Sequence, residues 1–454
     1  MLINRFLGTE ELPVQAQNHM RLFLSLSMMI GFLTSLSSTF YILFVIDKIG
    51  FALAALTSSI MLLTQVVFDY PSGSFGDWIG QRWVLATAFI FYGIAFFQLA
   101  VAQSFLDFAI IGVINGLGNA QSSGTFETWL DNNYRKVVGD ADPDRKIYGF
   151  TMTRIGSMNN LTLAASFLAG GTLATIFSRQ SVFLLQFGLV LIVIVLILVF
   201  LKDIQTDEEL DSFSESKSIS GYFGFLKGGI KFLFSSKAIF LFLVGTSIYN
   251  VTWMIWGNLI LFPIYFGYTG SDALASILRT LLFLIGIPFG LIMANVSKRF
   301  SSDSLPYFLF FQTILFFPSF IALTYLNPPI NEFNWLGVIC TFILLSVLVG
   351  TLFTIGTTLQ QRIILDLVPS ENRNAVYSLM PTIFAIFGIP VLPFAGTIVE
   401  NFGLAGGIMT AGIVSLLGSL LISLGLHLRK TSFKLSIRRT MDSAEGIINP
   451  VYVE

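Results

Sequence analysis

The sequence predicts an all-α membrane protein in which twelve transmembrane helices form two pseudo-symmetric six-helix bundles. Three observations predict this fold class: an apolar content too high for a water-soluble surface, twelve apolar stretches of membrane-spanning length, and a repeat between the two halves. Of the 454 residues, 54% are hydrophobic and 11% are charged, whereas a soluble domain carries about 25% charged residues. Most of the molecular surface must therefore face lipid.

Twelve apolar stretches have the length of a membrane-spanning helix, since a bilayer core of about 30 Å needs about 20 apolar residues. In the first half they lie near residues 21–46, 51–75, 83–103, 105–131, 147–177 and 181–201. In the second half they lie near residues 238–266, 271–296, 305–326, 333–361, 375–399 and 404–427. We number these stretches spans 1 to 12. Because unpaired backbone groups are costly in hydrocarbon, the continuous runs are predicted to be helices.

The basic residues predict the orientation of the chain in the membrane. With these spans, 21 of the 25 Lys and Arg residues fall on the side of the N-terminus, and two, Lys48 and Arg179, fall on the opposite side. The positive-inside rule therefore predicts that both termini are cytoplasmic, in a multi-pass protein of the plasma membrane. A net charge of −1 gives no reason to expect a nucleic-acid partner.

The chain divides into four predicted regions. Residues 1–201 form the first six-helix bundle, and residues 237–428 form the second. Residues 202–236 are a cytoplasmic linker: its acidic, Ser-rich first part predicts flexibility, and Lys227 and Lys231, one turn apart among aromatic residues, predict an amphipathic helix on the inner leaflet. Residues 429–454 are a cytoplasmic tail.

Two short matches indicate that the six-helix unit is duplicated. At an offset of 217, residues 71–83 (PSGSFGDWIGQRW) align with residues 288–300, pairing among others Pro71 with Pro288 and Arg82 with Arg299. At an offset of 225, the ends of spans 5 and 11 align, pairing Gly171 with Gly396. Parallel six-helix halves are a known transporter architecture, with the substrate site between them near the membrane midplane.

The stretch GSFGDWIGQR resembles the signature loop of the major facilitator superfamily, G-x-x-x-D-x-x-G-x-R, with Gly73, Asp77, Gly80 and Arg82 at its anchors. The twelve spans, the basic side and the central linker extend the resemblance over the whole chain. The resemblance implies a conformational gate, in which Asp77 docks at the cytoplasmic end of span 11 and holds the outward-facing state. A carboxylate at a helix N-terminus contributes about 0.3–2 kcal/mol, enough to bias such an equilibrium. The alternative is that these charges anchor a loop at the membrane interface.

Charged residues inside spans 4 and 5 suggest a second gate element. Glu127 and Asp131 lie one turn apart on one face of span 4, and Arg154 lies at a similar depth on span 5. Because an isolated ion in the membrane is costly, we expect a Glu127–Arg154 pair, with Asp131 nearer Arg82. The pair is predicted to be a strut that breaks when the cytoplasmic side opens. The alternatives are a proton-coupling role for Glu127 and a static pair.

The predicted substrate cavity has aromatic walls and few charges. Arg279 on span 8 either faces the cavity, where it suits an anionic substrate or a counter-ion, or extends toward Asp272 and the outer interface. The family resemblance points to spans 1, 4, 7 and 10 as the other walls, with polar and aromatic candidates Tyr41, Asn115, Asn119, Asn250, Trp253, Trp256 and Thr357. Such a lining favours an amphipathic or moderately apolar solute, although the amide side chains equally suit helix–helix packing.

The function predicted is secondary active transport of a small solute by alternating access, coupled to protons and directed to efflux. The alternatives are proton-coupled import of a small organic anion or sugar-like solute, and a non-transporting membrane sensor or scaffold. An enzyme is not predicted, because His19 and His427 lie near opposite chain ends and no metal-ligand spacing, nucleophile–base motif or phosphate-binding loop is present. No cofactor and no metal are predicted. The predicted partners are the solute, protons and the lipid bilayer, around a monomer.

Overall fold

The computed structural model describes residues 2–202, 231, 233–326, 335–367 and 370–445. Within these ranges, the side chains of residues 2, 70–78, 294, 326, 335–339, 342, 370–379 and 430–445 lie outside the description. The predicted interfacial helix of the linker, around Lys227 and Lys231, falls largely outside the described residues. The regular structure described is helical throughout, and its helices correspond to the twelve predicted spans.

The first half contains six crossing units, preceded by a short helix, Leu2–Leu7. Span 1 combines Val14–Ser35 with the start of the helix Tyr41–Ile79, and Gly50 (φ 78°) divides that helix so that its remainder is span 2. Span 3 is Gln81–Val101, and span 4 consists of Phe105–Ser122 and Thr125–Val138. Span 5 is Lys146–Ile176, and span 6 is Arg179–Phe200.

The second half repeats this layout. Span 7 runs through Lys237–Ile255, a π-helical segment Trp256–Ile260, and Leu261–Thr269. Span 8 is Asp272–Val296, span 9 is Leu305–Leu326 and span 10 is Trp335–Leu367. Spans 11 and 12 share the helix Ser370–Glu445, which is divided at Gly403 (φ 71°). This agrees with the predicted all-α membrane fold of twelve helices.

The contacts between spans follow the predicted pseudo-symmetry. In the first half, span 2 packs on span 4, and span 3 packs on spans 4 and 6; in the second half, span 8 packs on span 10, and span 9 packs on spans 10 and 12. Adding six to each number converts the first set of pairs into the second. The two most extensive contacts between the halves, span 2 with span 11 and span 5 with span 8, exchange under the same operation.

The spans end at two opposite faces of the bundle. We call the end that holds residues 2–14, 79–81, 138–146 and 296–305 the N-terminal face, and the end that holds residues 47–51, 101–105, 176–179, 269–272 and 400–404 the distal face. The sequence predicts that the N-terminal face is cytoplasmic.

Candidate functional site

The first contact between the halves joins spans 5 and 8. The Thr280 hydroxyl donates to the Ala164 carbonyl at 3.2 Å, and the Ala273 N–H donates to the Thr175 hydroxyl at 2.9 Å. The helices can approach this closely because of Gly171, where an added Cβ would lie 1.9 Å from Ser276 Oγ. These bonds hold the distal half of span 5 against the distal half of span 8.

The second contact between the halves joins spans 2 and 11. The Ser59 hydroxyl donates to the Ile389 carbonyl at 2.9 Å, and the Ala52 N–H donates to the Glu400 carboxylate at 2.8 Å. Since span 2 begins just after Gly50, Glu400 lies at the N-terminus of a helix, where a negative charge is favourable. A Cβ added at Gly396 would lie 2.6 Å from the Ala55 Cβ. The glycines paired by the offset of 225, Gly171 and Gly396, thus occupy equivalent close contacts.

An ion pair joins the two halves at the distal face. Arg179 at the start of span 6 donates from Nε and Nη2 to the two carboxylate oxygens of Asp272 at 2.8 and 2.9 Å, and from Nη1 to Asp47 at 2.5 Å. The side chains of Arg179 and Asp272 are 14% and 10% exposed, whereas that of Asp47 is 64% exposed. The fork-shaped, largely buried Arg179–Asp272 pair is the stronger of the two interactions.

Among the described residues, the bonds between the halves lie on one side of the molecule. Each cross-half hydrogen bond whose two partners both lie in the described part of the chain is found between the middle of the bundle and the distal face. Within the described part of the chain, the halves are therefore bonded to each other toward the distal face.

The predicted gate motif is helical for most of its length. Span 2 continues through the motif to Ile79, and the chain turns at Gly80, whose φ of 92° is a conformation that glycine adopts readily. Arg82 lies over the Trp83 ring at 4.9 Å. Gly73 and Asp77 belong to residues 70–78, whose side chains lie outside the description. The side chains at the start of span 11, residues 370–379, lie outside it as well. Docking of Asp77 on span 11 therefore stays a prediction.

The structure does not bring Glu127 and Arg154 together, which corrects the predicted pair. Gly124, in a left-handed conformation (φ 69°), breaks span 4, so that Glu127 lies exposed on the separate helix Thr125–Val138. The Arg154 guanidinium instead donates to the carbonyls of Arg5 and Phe6. These carbonyls end the helix Leu2–Leu7 and carry the partial negative charge of a helix C-terminus, which attracts a cation.

Asp131 also has partners other than the predicted Arg82. It forms ion pairs with Arg135, at 2.9 Å, and with Arg145, both at the N-terminal face. Arg145 is the residue just before span 5, so this carboxylate connects the end of span 4 to its neighbour within one half. Asp131 therefore does not contribute a contact between the halves.

A second carboxylate orders the connection between spans 4 and 5. Asp142 is buried and accepts hydrogen bonds from the Tyr134 hydroxyl at 2.8 Å, the Tyr148 N–H at 2.9 Å and the Ile147 N–H at 3.1 Å. Burial acts to raise the pKa of Asp142, but these hydrogen bonds outweigh it and hold the pKa below its usual range. The connection is thus a structured element of the N-terminal face.

A cavity of about 510 Å³ lies in the second half, between spans 7, 8, 9 and 10. Three predicted site residues line it together: Trp253, Trp256 and Arg279. The other predicted cavity residues, all outside its lining, are Tyr41, Asn115, Asn119, Asn250 and Thr357.

Two of these other residues have packing roles. Asn119 accepts from the Tyr92 hydroxyl at 2.9 Å and donates to the Gln65 side chain at 3.3 Å, which links spans 2, 3 and 4 inside the first half. The Thr357 hydroxyl bonds to the Phe353 carbonyl of its own helix at 3.0 Å. The bonds of Asn119 are the helix–helix packing that was the alternative to a cavity role, and the bond of Thr357 is intrahelical.

Sequence reasoning missed several residues that line the cavity, among them Tyr265, Phe283, Phe316, Phe353 and Thr354. It also missed the π-helical segment Trp256–Ile260, a feature often found at functional sites. The sequence feature that could have indicated this segment is Pro263. Proline has no N–H to donate to the carbonyl of Leu259, four residues earlier, and its ring crowds the preceding turn of the helix.

Arg279 faces the cavity and does not extend to Asp272. Its guanidinium carbon lies 5.7 Å from the centre of the Phe167 ring and 5.6 Å from that of Phe283, and the Tyr265 side chain is a hydrogen-bond partner. Asp272 is engaged by Arg179 through both oxygens. As for metal ligands, the described residues contain no group of three or more His, Cys, Asp or Glu that could hold an ion.

Comparison with known proteins identifies the family. Residues 22–359 match the sequence model of the Major Facilitator Superfamily. The "Uncharacterized MFS-type transporter YxaM" of Bacillus subtilis (strain 168) is 26% identical over 231 residues, which are 50% of this chain and 53% of that protein, so the match spans about half the length of that relative.

Two solved transporter structures share the fold over nearly their whole length. The nucleoside transporter NupG superposes with a TM-score of 0.69 at 16% identity, covering 91% of this chain and 99% of that chain. A D-xylose-proton symporter superposes with a TM-score of 0.64 at 12% identity, covering 89% of this chain and 96% of that chain. Because the family model covers residues 22–359, the chain belongs to the Major Facilitator Superfamily.

Proposed function

We propose that this carrier moves a small amphipathic or moderately apolar solute by alternating access, and that the structure represents the state closed at the distal face. The observation that supports the proposal is the confinement of the described cross-half bonds to the distal side. With the N-terminal face in the cytoplasm of a plasma-membrane protein, as the basic residues predict, the distal face is the outer face of the membrane. The moving bodies are residues 1–201 and 237–428, joined by the linker 202–236.

The solute class is inferred from the cavity of this chain. The related structures are named for a nucleoside and a sugar, but identities of 16% and 12% relate the folds and do not transfer a substrate. The cavity here is walled by Trp253, Trp256, Phe283, Phe289, Phe316 and Phe353. Such walls suit a solute with a substantial apolar surface, and the cavity volume of about 510 Å³ lies within the range of small-molecule sites.

For coupling and direction, we propose proton-coupled efflux, as predicted. Proton-coupled import of a small organic anion or sugar-like solute and a non-transporting sensor or scaffold are the alternatives. Glu127, which is exposed in the first turn of the helix Thr125–Val138, is the carboxylate that we propose takes part in coupling. A monomer is sufficient for this mechanism, because both moving halves belong to one chain.

Flux measurements in proteoliposomes test the proposed function. A panel of radiolabelled amphipathic cations, neutral solutes, organic anions and sugars is measured under a pH gradient of either sign and without one. We expect at least one class to accumulate against its gradient in response to the pH gradient, with the sign giving the direction. Glu127→Gln should abolish accumulation but preserve exchange at zero gradient. Absence of protein-dependent flux for every class would favour the sensor or scaffold.

A further inference from the structure

The cavity in the second half is electrostatically one-sided. Among the residues that line it there is one charged side chain, Arg279, and the lining contains no carboxylate. The other polar side chains are the Ser346, Thr351 and Thr354 hydroxyls, Tyr265 and the two indoles. The lining therefore offers a positive charge and hydrogen-bond donors, but no negative group to balance them.

Arg279 has no counter-ion among the described residues. The acid closest along its own span, Asp272, is occupied by Arg179 through both carboxylate oxygens. The Nε atom of Arg279 is buried and makes no hydrogen bond within the described part of the chain. A guanidinium carries five donors and stays charged, so an unbalanced one inside the membrane is costly unless a bound anion compensates it.

The surroundings of Arg279 specify more than charge. The guanidinium lies near the Phe167 and Phe283 rings, and Trp253, Trp256 and Phe353 form the adjoining wall. Trp253 and Phe353 pack edge to face, with ring centres 5.0 Å apart. Aromatic faces held this way pack well against a flat apolar body. A carboxylate placed on Arg279 would leave that body against the aromatic wall.

We propose that this cavity binds a small organic monoanion that joins one carboxylate to a flat apolar or aromatic body, with Arg279 as the carboxylate-binding residue. The proposal rests on the proposed transport function and specifies its substrate class. An arginine fork matches a carboxylate in geometry as well as charge. Trp253, Trp256 and Phe283 would pack against the flat apolar body of the ligand and so select for its shape and apolar character.

The location of Arg279 connects this site to the distal contact. The residue after Arg279, Thr280, donates to the Ala164 carbonyl of span 5. Ser276, three residues before Arg279, donates to the Thr39 hydroxyl of span 1 at 2.7 Å. Phe167 of the first half touches both Arg279 and Phe283. A ligand bound at Arg279 would therefore contact the segment that joins the halves, which is where binding must act to shift a two-state equilibrium.

Ligand binding to purified full-length protein in nanodiscs tests the proposal. The probes are 2-naphthoate, its neutral isostere 2-naphthamide, and chloride alone, measured by calorimetry and by the shift of the unfolding midpoint. We expect 2-naphthoate to bind at least about tenfold more tightly than 2-naphthamide, because a hydrogen-bonded charge is lost in the amide. Equal binding of the two, or an equal midpoint shift with chloride alone, would overturn the proposal.

Variants separate a ligand-binding Arg279 from a structural one. Arg279→Gln should weaken 2-naphthoate binding by about tenfold to a hundredfold, and Arg279→Lys should weaken it less. The matched control is Arg362→Gln, which removes a guanidinium that bonds to the Ser297 carbonyl away from the cavity and should leave binding unchanged. Because Arg279 lacks a protein counter-ion, Arg279→Gln should not lower the unfolding midpoint without ligand. A clear drop in that midpoint would assign Arg279 a structural role and overturn the proposal.

The binding and flux experiments fail independently. Binding of 2-naphthoate without flux of any solute would leave the site in place and reject transport. Flux of other solute classes without selective binding of 2-naphthoate would support transport and reject this substrate class.

Discussion

The two most extensive contacts between the halves occupy equivalent positions in the repeat but are built from different chemistry. Both depend on a glycine at the distal end of a span, Gly171 or Gly396. The contact of spans 5 and 8 adds two hydroxyl bonds and lies beside the largely buried Arg179–Asp272 pair. The contact of spans 2 and 11 adds one hydroxyl bond and an exposed carboxylate at a helix N-terminus.

This difference separates what the duplicated fold provides from what individual side chains provide. The glycines set how closely the helices approach, and they match across the repeat. The polar groups set how strongly the closed state is held, and they do not match. Removing one partner of a buried ion pair costs about 3–5 kcal/mol, whereas a surface carboxylate at a helix N-terminus contributes about 0.3–1 kcal/mol. The contact of spans 5 and 8 should therefore dominate distal closure.

The largest effect is expected from filling the shared glycine positions. In Gly171→Leu, the new side chain would collide with Ser276, and in Gly396→Leu with Ala55 and the Phe51 carbonyl, so the halves cannot close at the distal face. We expect the distance between spin labels at Gln103 and Phe402, in a Cys340→Ser background, to increase in nearly all molecules. Solute flux should fall at least about tenfold, since one of the two states is lost.

The matched control for the glycine variants is Gly188→Leu on span 6. A Cβ at that position meets nothing within 4 Å, so the label distance should stay at its wild-type value. If the label distances or the solute flux differed strongly between Gly171→Leu and Gly396→Leu, the two glycines would not have equivalent roles in the two contacts.

The second effect concerns the ion pair. Arg179→Gln leaves the buried Asp272 carboxylate without its cation, and we expect the population open at the distal face to rise by about tenfold or more. The same label pair measures this shift by pulsed electron spin resonance. Asp47→Asn is the control, because Asp47 is 64% exposed and exposed pairs contribute little. Equal shifts in the two variants would contradict a dominant role for the buried pair.

The fold was accessible from the sequence because it depends on long apolar runs and on a repeat. The lining of the cavity was less accessible. Trp253, Trp256 and Arg279 were predicted from residue type and span number, and they do line one cavity. Asn119 shows the limit of that reasoning: an amide on the expected span bonds within its own half, and which face of a helix meets which neighbour depends on tertiary packing.

The predicted charge pairing failed for a local reason. It treated span 4 as one continuous helix, whereas Gly124 divides it, and it ignored the carbonyls of the helix Leu2–Leu7 as partners for Arg154. The distal pair was open to prediction by a simpler argument. Arg179 is one of two basic residues on the distal side, where Asp47, Asp272 and Glu400 also lie, so charge complementarity alone would have indicated a partner.

A smaller effect is expected at the contact of spans 2 and 11. Glu400→Gln keeps an acceptor for the Ala52 N–H but removes the negative charge from the N-terminus of span 2. We expect the population open at the distal face to rise by about twofold to fivefold, and added salt should reduce the difference between variant and wild type. The neighbouring control, Asn401→Ala, removes a bond to Thr397 of the same helix and should leave the label distances unchanged. A shift as large as that of Arg179→Gln would reverse the ranking of the contacts.

The smallest effect on closure is expected from Asp142, whose hydrogen bonds all lie within the first half at the N-terminal face. Asp142→Asn should leave the label distances at the distal face unchanged but lower the unfolding midpoint at neutral pH, because three hydrogen bonds to a charged acceptor are weakened, at a cost of about 1–3 kcal/mol. The pKa of Asp142 is lower in the folded state than its ordinary value. Its stabilising contribution is therefore complete above the unfolded pKa of about 3.9 and is lost as pH falls through the lower folded pKa. The difference in midpoint between wild type and Asp142→Asn should accordingly shrink on acidification below about pH 4.

The control is Asp144→Asn, in the same connection but with an exposed pair to Lys146. Its unfolding midpoint should equal that of wild type both at neutral pH and below about pH 4. A change in the distal label distances in Asp142→Asn would mean that the N-terminal face of one half controls closure at the other end, and the strength of closure could then no longer be assigned to the two distal contacts alone.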